Sequence, residues 1–248
     1  MPVSVPLIVF LLLISPAVGS FLAVLVDRLP RGENVISKPS ACRGCGVRLR
    51  SGQLVPILSF IRQRGSCHSC ATQIPAWTLY LEILALGAAV LAVIAGGGMH
   101  SIALSALFLW LLIALGACDL IWFRLPDALT ATLAGIALLM ATMPDGMGLS
   151  TAMLGAAIGA GSFAVIRWAY QILRGREGLG LGDVKLMAGL GAFAGPWDIA
   201  LLVLLAALLA LGLALAYQRG SGQGVQADHP LPFGSSLCAA AALLWVIN

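Results

Sequence analysis

The stretch "REGLGLGDVKLMAGLGAFAG", residues 176–195, places Asp183 and Lys185 among glycines at the head of an apolar run. A charge in apolar surroundings is costly unless it has a partner or performs chemistry. The setting of these two residues therefore decides what kind of chain this is, and it is apolar throughout. Of 248 residues, 60% are hydrophobic and 10% charged, whereas a soluble domain carries roughly 25% charged residues. Mean hydropathy is +1.00. The composition describes an integral protein of the lipid bilayer and excludes a soluble globular domain.

Apolar runs separated by short polar or glycine-rich breaks give about eight candidate transmembrane helices, at 4–26, 77–95, 101–123, 128–143, 149–173, 184–196, 199–217 and 231–247. The first ends in "AVGS", as a signal peptide would. It has no basic segment before it and its positive charges follow it, the pattern of a retained span with its N-terminus outside. Alternating the runs from there puts 27–76, 124–127, 174–183 and 218–230 on the cytoplasmic side. These segments hold every Lys and Arg except Arg167 and Lys185, while "GGGMH", "PDGMG" and "PWD" on the other side hold none. The positive-inside rule is satisfied throughout. Eight of the fourteen Lys and Arg residues crowd into one segment, from Arg28 to Arg64. That segment follows a span and lacks interleaved aromatics, so it reads as a cytoplasmic loop, with no nucleic-acid partner. The expected division is a first transmembrane helix (1–26), a cysteine-rich loop domain (27–76) and a transmembrane core (77–248). No convincing internal repeat is visible.

The loop carries "CRGC" and "CHSC": Cys42, Cys45, Cys67 and Cys70, spaced C-x2-C-x21-C-x2-C. Two such pairs are the usual form of a tetrahedral four-cysteine zinc site, as in zinc ribbons. Gly44 and Gly46 suit the turns around the first pair. Disulfides are the competing reading, and a reducing cytoplasm argues against them; a thiol-redox role for one pair is the other. Four cysteine ligands leave no open position, so the metal is expected to be structural. His68 reads as a surface residue, and Cys118 and Cys238, in apolar runs, as core packing.

Two carboxylates remain. On this topology Asp119 ends the third span on the cytoplasmic side and Asp183 begins the sixth there, at one membrane depth. Intramembrane acids are functional-site candidates by default. Two held close cannot both ionise comfortably, so one keeps a proton, which is what water-driven peptide hydrolysis needs. Gly180 and Gly182 would let a peptide backbone or a partner helix approach closely. Bland readings stay open: Asp119 caps a helix end or pairs with Arg124, Asp183 pairs with Lys185, and Lys185 snorkels or positions the site. Asp127, after Pro126, reads as a cap for the fourth span. Glu82, about two turns into the second span, could face the interior beside the pair.

These residues resemble a known family, the type IV prepilin peptidases (prepilin leader peptidase/N-methyltransferases), which are membrane aspartic peptidases of the Gly-x-Gly-Asp class. The resemblance runs through "GSFLAVLVDRLPRGE" (19–33), the cysteine pairs with "VPILSF" (55–60) between them, "DLIWFRLPD" (119–127), "GLGDVKLMAGLGAFAG" (180–195) and "LPFGSSL" (231–237). It implies that Asp119 and Asp183 are catalytic in a peptidase core. It also implies a substrate, the leader of a prepilin or pseudopilin, cut after a glycine at the cytoplasmic face of the bacterial inner membrane. Bifunctional members then methylate the new N-terminus with S-adenosylmethionine. Departures fall at Pro75, at Trp77, Thr78 and Leu79 in place of Arg-Tyr-Pro, and at Ile121. Glu82 is in place. The rival readings are a peptidase without methyltransferase activity, a methyltransferase that no longer cleaves, a small proton- or cation-coupled transporter, and a non-catalytic assembly scaffold.

Overall fold

A computed structural model describes residues 5–175, 178–221 and 232–247. Among them the protein is all-helical: α1 (Val5–Arg28), α2 (Leu58–Arg62), α3 (Ala76–Ala95), α4 (Met99–Trp122), α5 (Asp127–Ala141), α6 (Leu149–Arg174), α7 (Leu181–Ser221) and α8 (Phe233–Ile247). Five segments are long and apolar enough to cross a membrane: Val5–Arg31, Ala76–Ala95, Met99–Trp122, Leu149–Arg174 and Leu181–Ala216. α5 and α8 are shorter apolar helices. Each apolar run of the sequence has become helix, because lipid offers no partner to a backbone amide and only helices or closed barrels satisfy their own. Most of the expected polar break at 218–230 lies outside the described residues.

The chain packs as two compact units, Met1–Ala114 and Leu115–Asn248. In the first, α1 lies directly on α3: a Cβ on Gly19 would fall 2.5 Å from the Glu82 Cα. The Trp110 indole donates to the Ala85 carbonyl at 2.8 Å. α1 ends at Arg28, which is only 8% exposed. Its guanidinium donates to the carbonyls of Asn34, Val35, Lys38 and Pro39 and folds 29–39 back on the helix end. The sequence reading counted Arg28 only as one more inward positive charge.

In the second unit, α7 packs between α5 and α6. Gly155 and Gly159 of α6 meet Gly191 and Gly195 of α7, two small-x3-small faces. A Cβ on Gly159 would lie 2.6 Å from the Met187 carbonyl, and one on Gly189 would lie 3.1 Å from the Ala134 amide nitrogen of α5. Gly189, Gly191 and Gly195, at the end of the sixth run, are thus what brings its neighbours close. The sixth and seventh runs are two arms of α7, 181–194 and 196–221, parted at Gly195 (φ 69, ψ 174) just before Pro196. Unbroken, α7 would reach about 60 Å, twice a hydrocarbon core. The starts of α7 and α8 pack on one residue, Leu125.

Candidate active site

Asp119 lies three residues before the end of α4 and is 7% exposed. Its Oδ2 accepts the Ser235 amide at 2.7 Å, and the Gly234 amide also donates to its carboxylate. Both amides belong to the first turn of α8, where four N–H groups have no partner within the helix and the helix dipole is positive. The carboxylate supplies the missing acceptor. Gly234 is required for this approach, since a Cβ there would stand 3.1 Å from the Asp119 Cγ. The segment "LPFGSSL" presents backbone amides to Asp119.

Asp183 is the third residue of α7 and half-buried. Its carboxylate reaches back to the Gly180 amide, one half of a capping box. It lies within electrostatic reach of Asp119. Leu125 bridges the two supports: a Cβ on Gly182 would lie 3.0 Å from the Leu125 Cβ, and one on Gly234 would lie 3.0 Å from its Cδ1. So Gly182 admits a leucine from the 123–126 turn, where the sequence suggested a substrate backbone or a helix. Substituting Gly234 by Val is expected to push Asp119 off its amides and lower turnover by about 10²-fold, the scale of a 1 Å misplacement. Turnover within threefold of wild type would show that the approach is not needed.

Two bland readings are corrected. Lys185 does not pair with Asp183; its Nζ meets the Asp127 Oδ1 at 2.7 Å, joining the start of α7 to that of α5. Asp127 is not the cap of α5, because Pro126 occupies that position without a side-chain bond and Asp127 is the first helical residue. The reading of Asp119 as a helix cap holds in an unforeseen form: it caps the start of α8, a helix distant in sequence. Phe123, just after α4, has φ 50.

In the first unit the four loop cysteines converge, their sulfurs all within 4.8 Å of one another. Cys42 and Cys70 sulfurs are 3.6 Å apart, close to the ~3.8 Å edge of a tetrahedron with 2.3 Å metal–sulfur bonds. The donor set fits a tetrahedral, thiophilic metal ion. Two knuckles build it, and they are an internal repeat at an offset of 25 residues that the sequence had not revealed. Cys42 donates to Val47 O and Cys67 to Thr72 O, each at 2.9 Å; the isolated bridges Ala41–Arg48 and Ser66–Gln73 flank them. Gly44 and Ser69 amides point at the Cys42 and Cys67 sulfurs. Gly46 sits at φ 71, while Gly44 is confined by Thr72, onto which a Cβ would fall. The Thr72 hydroxyl and amide draw the Cys70 thiol down to about 6, and the Cys45 and Gly44 amides hold Cys42 below the ordinary cysteine value. His68 is exposed and outside the cluster, and Cys118 and Cys238 are buried.

Beside the cluster, α1, the loop and the start of α3 enclose a cavity of about 220 Å³. Asp27, Glu82, Phe60, Trp77, Gln53 and Gln63 are among its walls. Asp27 is held by Arg31 and Arg43, and Arg43 stacks 5.3 Å above Trp77, one of the departure positions. Glu82 is 8% exposed, and its partners are the Ile57 amide at 2.7 Å and the Ser20 side chain. Both lie in its own unit.

Residues 13–95 match the Bacterial Peptidase A24 N-terminal domain, and residues 106–215 match the Type IV leader peptidase family. Among curated relatives, the prepilin leader peptidase/N-methyltransferase of Dichelobacter nodosus is 32% identical over 96% of this chain and 91% of its own length. Its namesake in Burkholderia pseudomallei (strain 1026b) is 38% identical over 87% of this chain and 69% of the relative. That of Dickeya chrysanthemi is 33% identical over 96% and 92%. No solved structure matches the chain.

Proposed function

The chain belongs to the type IV leader peptidase family, and from that premise we propose that it is a membrane aspartic endopeptidase cleaving the N-terminal leader of prepilins or pseudopilins. The observation that carries this reading is the joining of Asp119 and Asp183, 64 residues apart in sequence, around Leu125 and the first turn of α8. Asp119, with two amides and a helix start behind it, is the member placed to hold the negative charge and take a proton from water. Asp183, with one amide, keeps its proton and gives it to the scissile carbonyl oxygen as the water oxygen bonds to the carbonyl carbon. Collapse breaks the carbon–nitrogen bond: the proton on Asp119 goes to the leaving amine, and a diol hydroxyl returns its proton to Asp183 as the carbonyl re-forms. Lys185 and Asp127 fix the start of α7, and with it Asp183. The distribution of positive charge supports placing the dyad and the cysteine loop at the cytoplasmic face of the inner membrane.

We further assign the converging cysteines to structural zinc, and N-methylation to a donor held in the cavity beside them. When bound, S-adenosylmethionine supplies an electrophilic methyl group to the new N-terminus. The walls suit a cationic nucleoside of that kind: carboxylates at Asp27 and Glu82, aromatic faces at Phe60 and Trp77, side-chain amides at Gln53 and Gln63. Glu82→Gln keeps an acceptor for the Ile57 amide while removing the charge. It is expected to weaken donor binding about tenfold, or 1.4 kcal/mol, in equilibrium dialysis, with leader cleavage kept. Unchanged binding would take the donor out of this cavity.

The reading as a whole is tested by incubating the purified protein with a leader-bearing prepilin, with and without S-adenosylmethionine, and weighing the product. Loss of the leader plus one methyl group is expected. Loss of the leader alone would remove the methyltransferase, and an unchanged mass across several substrates would return the carboxylates to a transport role.

A further inference from the structure

Residues 50–64, "RSGQLVPILSFIRQR", carry charge only at Arg50, Arg62 and Arg64. No acidic residue occurs between Glu33 and Glu82. Counted as a soluble loop, the segment is badly built: Leu54, Val55, Leu58 and Ile61 are 45%, 42%, 66% and 63% exposed. Its depth gives the reason. At its centre Ile57 takes φ 62, ψ −55, and the Leu58 amide donates to the Pro56 carbonyl at 2.6 Å, a γ-turn. That turn is tied by the Ile57 amide to the Glu82 carboxylate, which also meets Ser20.

Glu82 is six residues inside α3 and Ser20 eight residues inside α1, about 9 Å and 12 Å from those helix ends. α3 has 20 residues, about 30 Å, so it needs its whole length to cross a 30 Å core. The Ile57 turn is therefore held below the level at which both helices enter the bilayer. Backbone at that depth must be satisfied from within, and most of it is. The amides of 53, 54, 58, 59, 61, 63, 64 and 65 donate to carbonyls of 50, 51, 56, 55, 57, 59, 61 and 60 respectively. Pro56 has no amide to satisfy, and the Ile57 amide, left over by the turn, is the one that takes Glu82.

From this we infer that residues 53–64 form a re-entrant element seated in the leaflet on the loop side. Leu54, Val55, Leu58 and Ile61 lie among acyl chains, and Arg50, Arg62 and Arg64 at the level of anionic headgroups. Its partner is the lipid surface. The arginines match the charge of that surface, and a row of apolar side chains beneath basic ones is how interfacial helices bind it. The inference rests on α1 and α3 crossing the membrane and is independent of the peptidase reading.

The test places benzoylphenylalanine at Leu58, at Ile61 and, as control, at Ile36, which is 98% exposed in the same loop. The full chain is reconstituted in vesicles of phosphatidylethanolamine and phosphatidylglycerol and irradiated. Positions 58 and 61 are expected to gain the mass of a phospholipid several-fold more often than position 36, with the metal content of the loop unchanged. Equal labelling at all three positions would overturn the inference. So would crosslinks at 58 and 61 that move to a co-reconstituted prepilin, because the apolar row would then be a substrate-docking face.

Discussion

Asp119→Asn and Asp183→Asn are each expected to lower leader cleavage by about 10²–10⁴-fold, the range for a lost acid or base, while leaving the helices folded. The structure gives the reason to expect that folding survives. An asparagine at 119 keeps an oxygen for the Ser235 and Gly234 amides and adds no atom against Gly234. At 183 it keeps an acceptor for the Gly180 amide. What is lost is the proton traffic: the amide at 119 cannot take a proton from water, and the amide at 183 cannot protonate the carbonyl oxygen. Because the two act in one step, the double variant should be scarcely worse than either single one. Single-turnover cleavage read by mass, beside circular dichroism of the same samples, makes the measurement. A single variant retaining a tenth of wild-type activity would end the dyad mechanism.

Cys42→Ser is expected to empty the metal site and unfold the loop. Structural zinc in small cysteine sites contributes about 10–16 kcal/mol of apparent binding energy, and where the site forms only on folding this is folding energy. Inside the loop the described bridges are isolated pairs, and most of its large side chains are exposed. Bound zinc measured by atomic emission should fall from one per chain to a small fraction, and trypsin should cut rapidly between Arg43 and Arg64. Chelation of the wild type should give the same digest, while His68→Ala should change neither measurement. Full metal retention by Cys42→Ser, or loss of metal by His68→Ala, would refute the four-cysteine assignment.

The helices and both candidate centres were readable in the sequence for local reasons. A run of about 20 apolar residues can do little but span. C-x2-C places two sulfurs on one turn whatever surrounds it, and an acid in an apolar run announces its cost. The break between the sixth and seventh runs falls at Gly195, inside the run read as 184–196, and it separates two arms of α7 and not two independent helices.

What the sequence left hidden are the partners of the chemically marked residues. Asp119 is held by the amides of Ser235 and Gly234, and a backbone N–H is common to every residue but proline, so no residue type advertises it. Lys185 chose Asp127, 58 positions away, over its near neighbour Asp183, because α5 and α7 begin side by side. Arg28 left the pool of surface charges to gather four carbonyls, and Glu82 took the Ile57 amide. The sequence by itself determined a multi-pass helical membrane protein with a four-sulfur loop and two candidate acids. The tertiary structure decided which helix starts face those acids and which turn lies in the bilayer. Such choices are made by close contacts of glycine faces and backbone amides, whose meaning exists only after the helices have met.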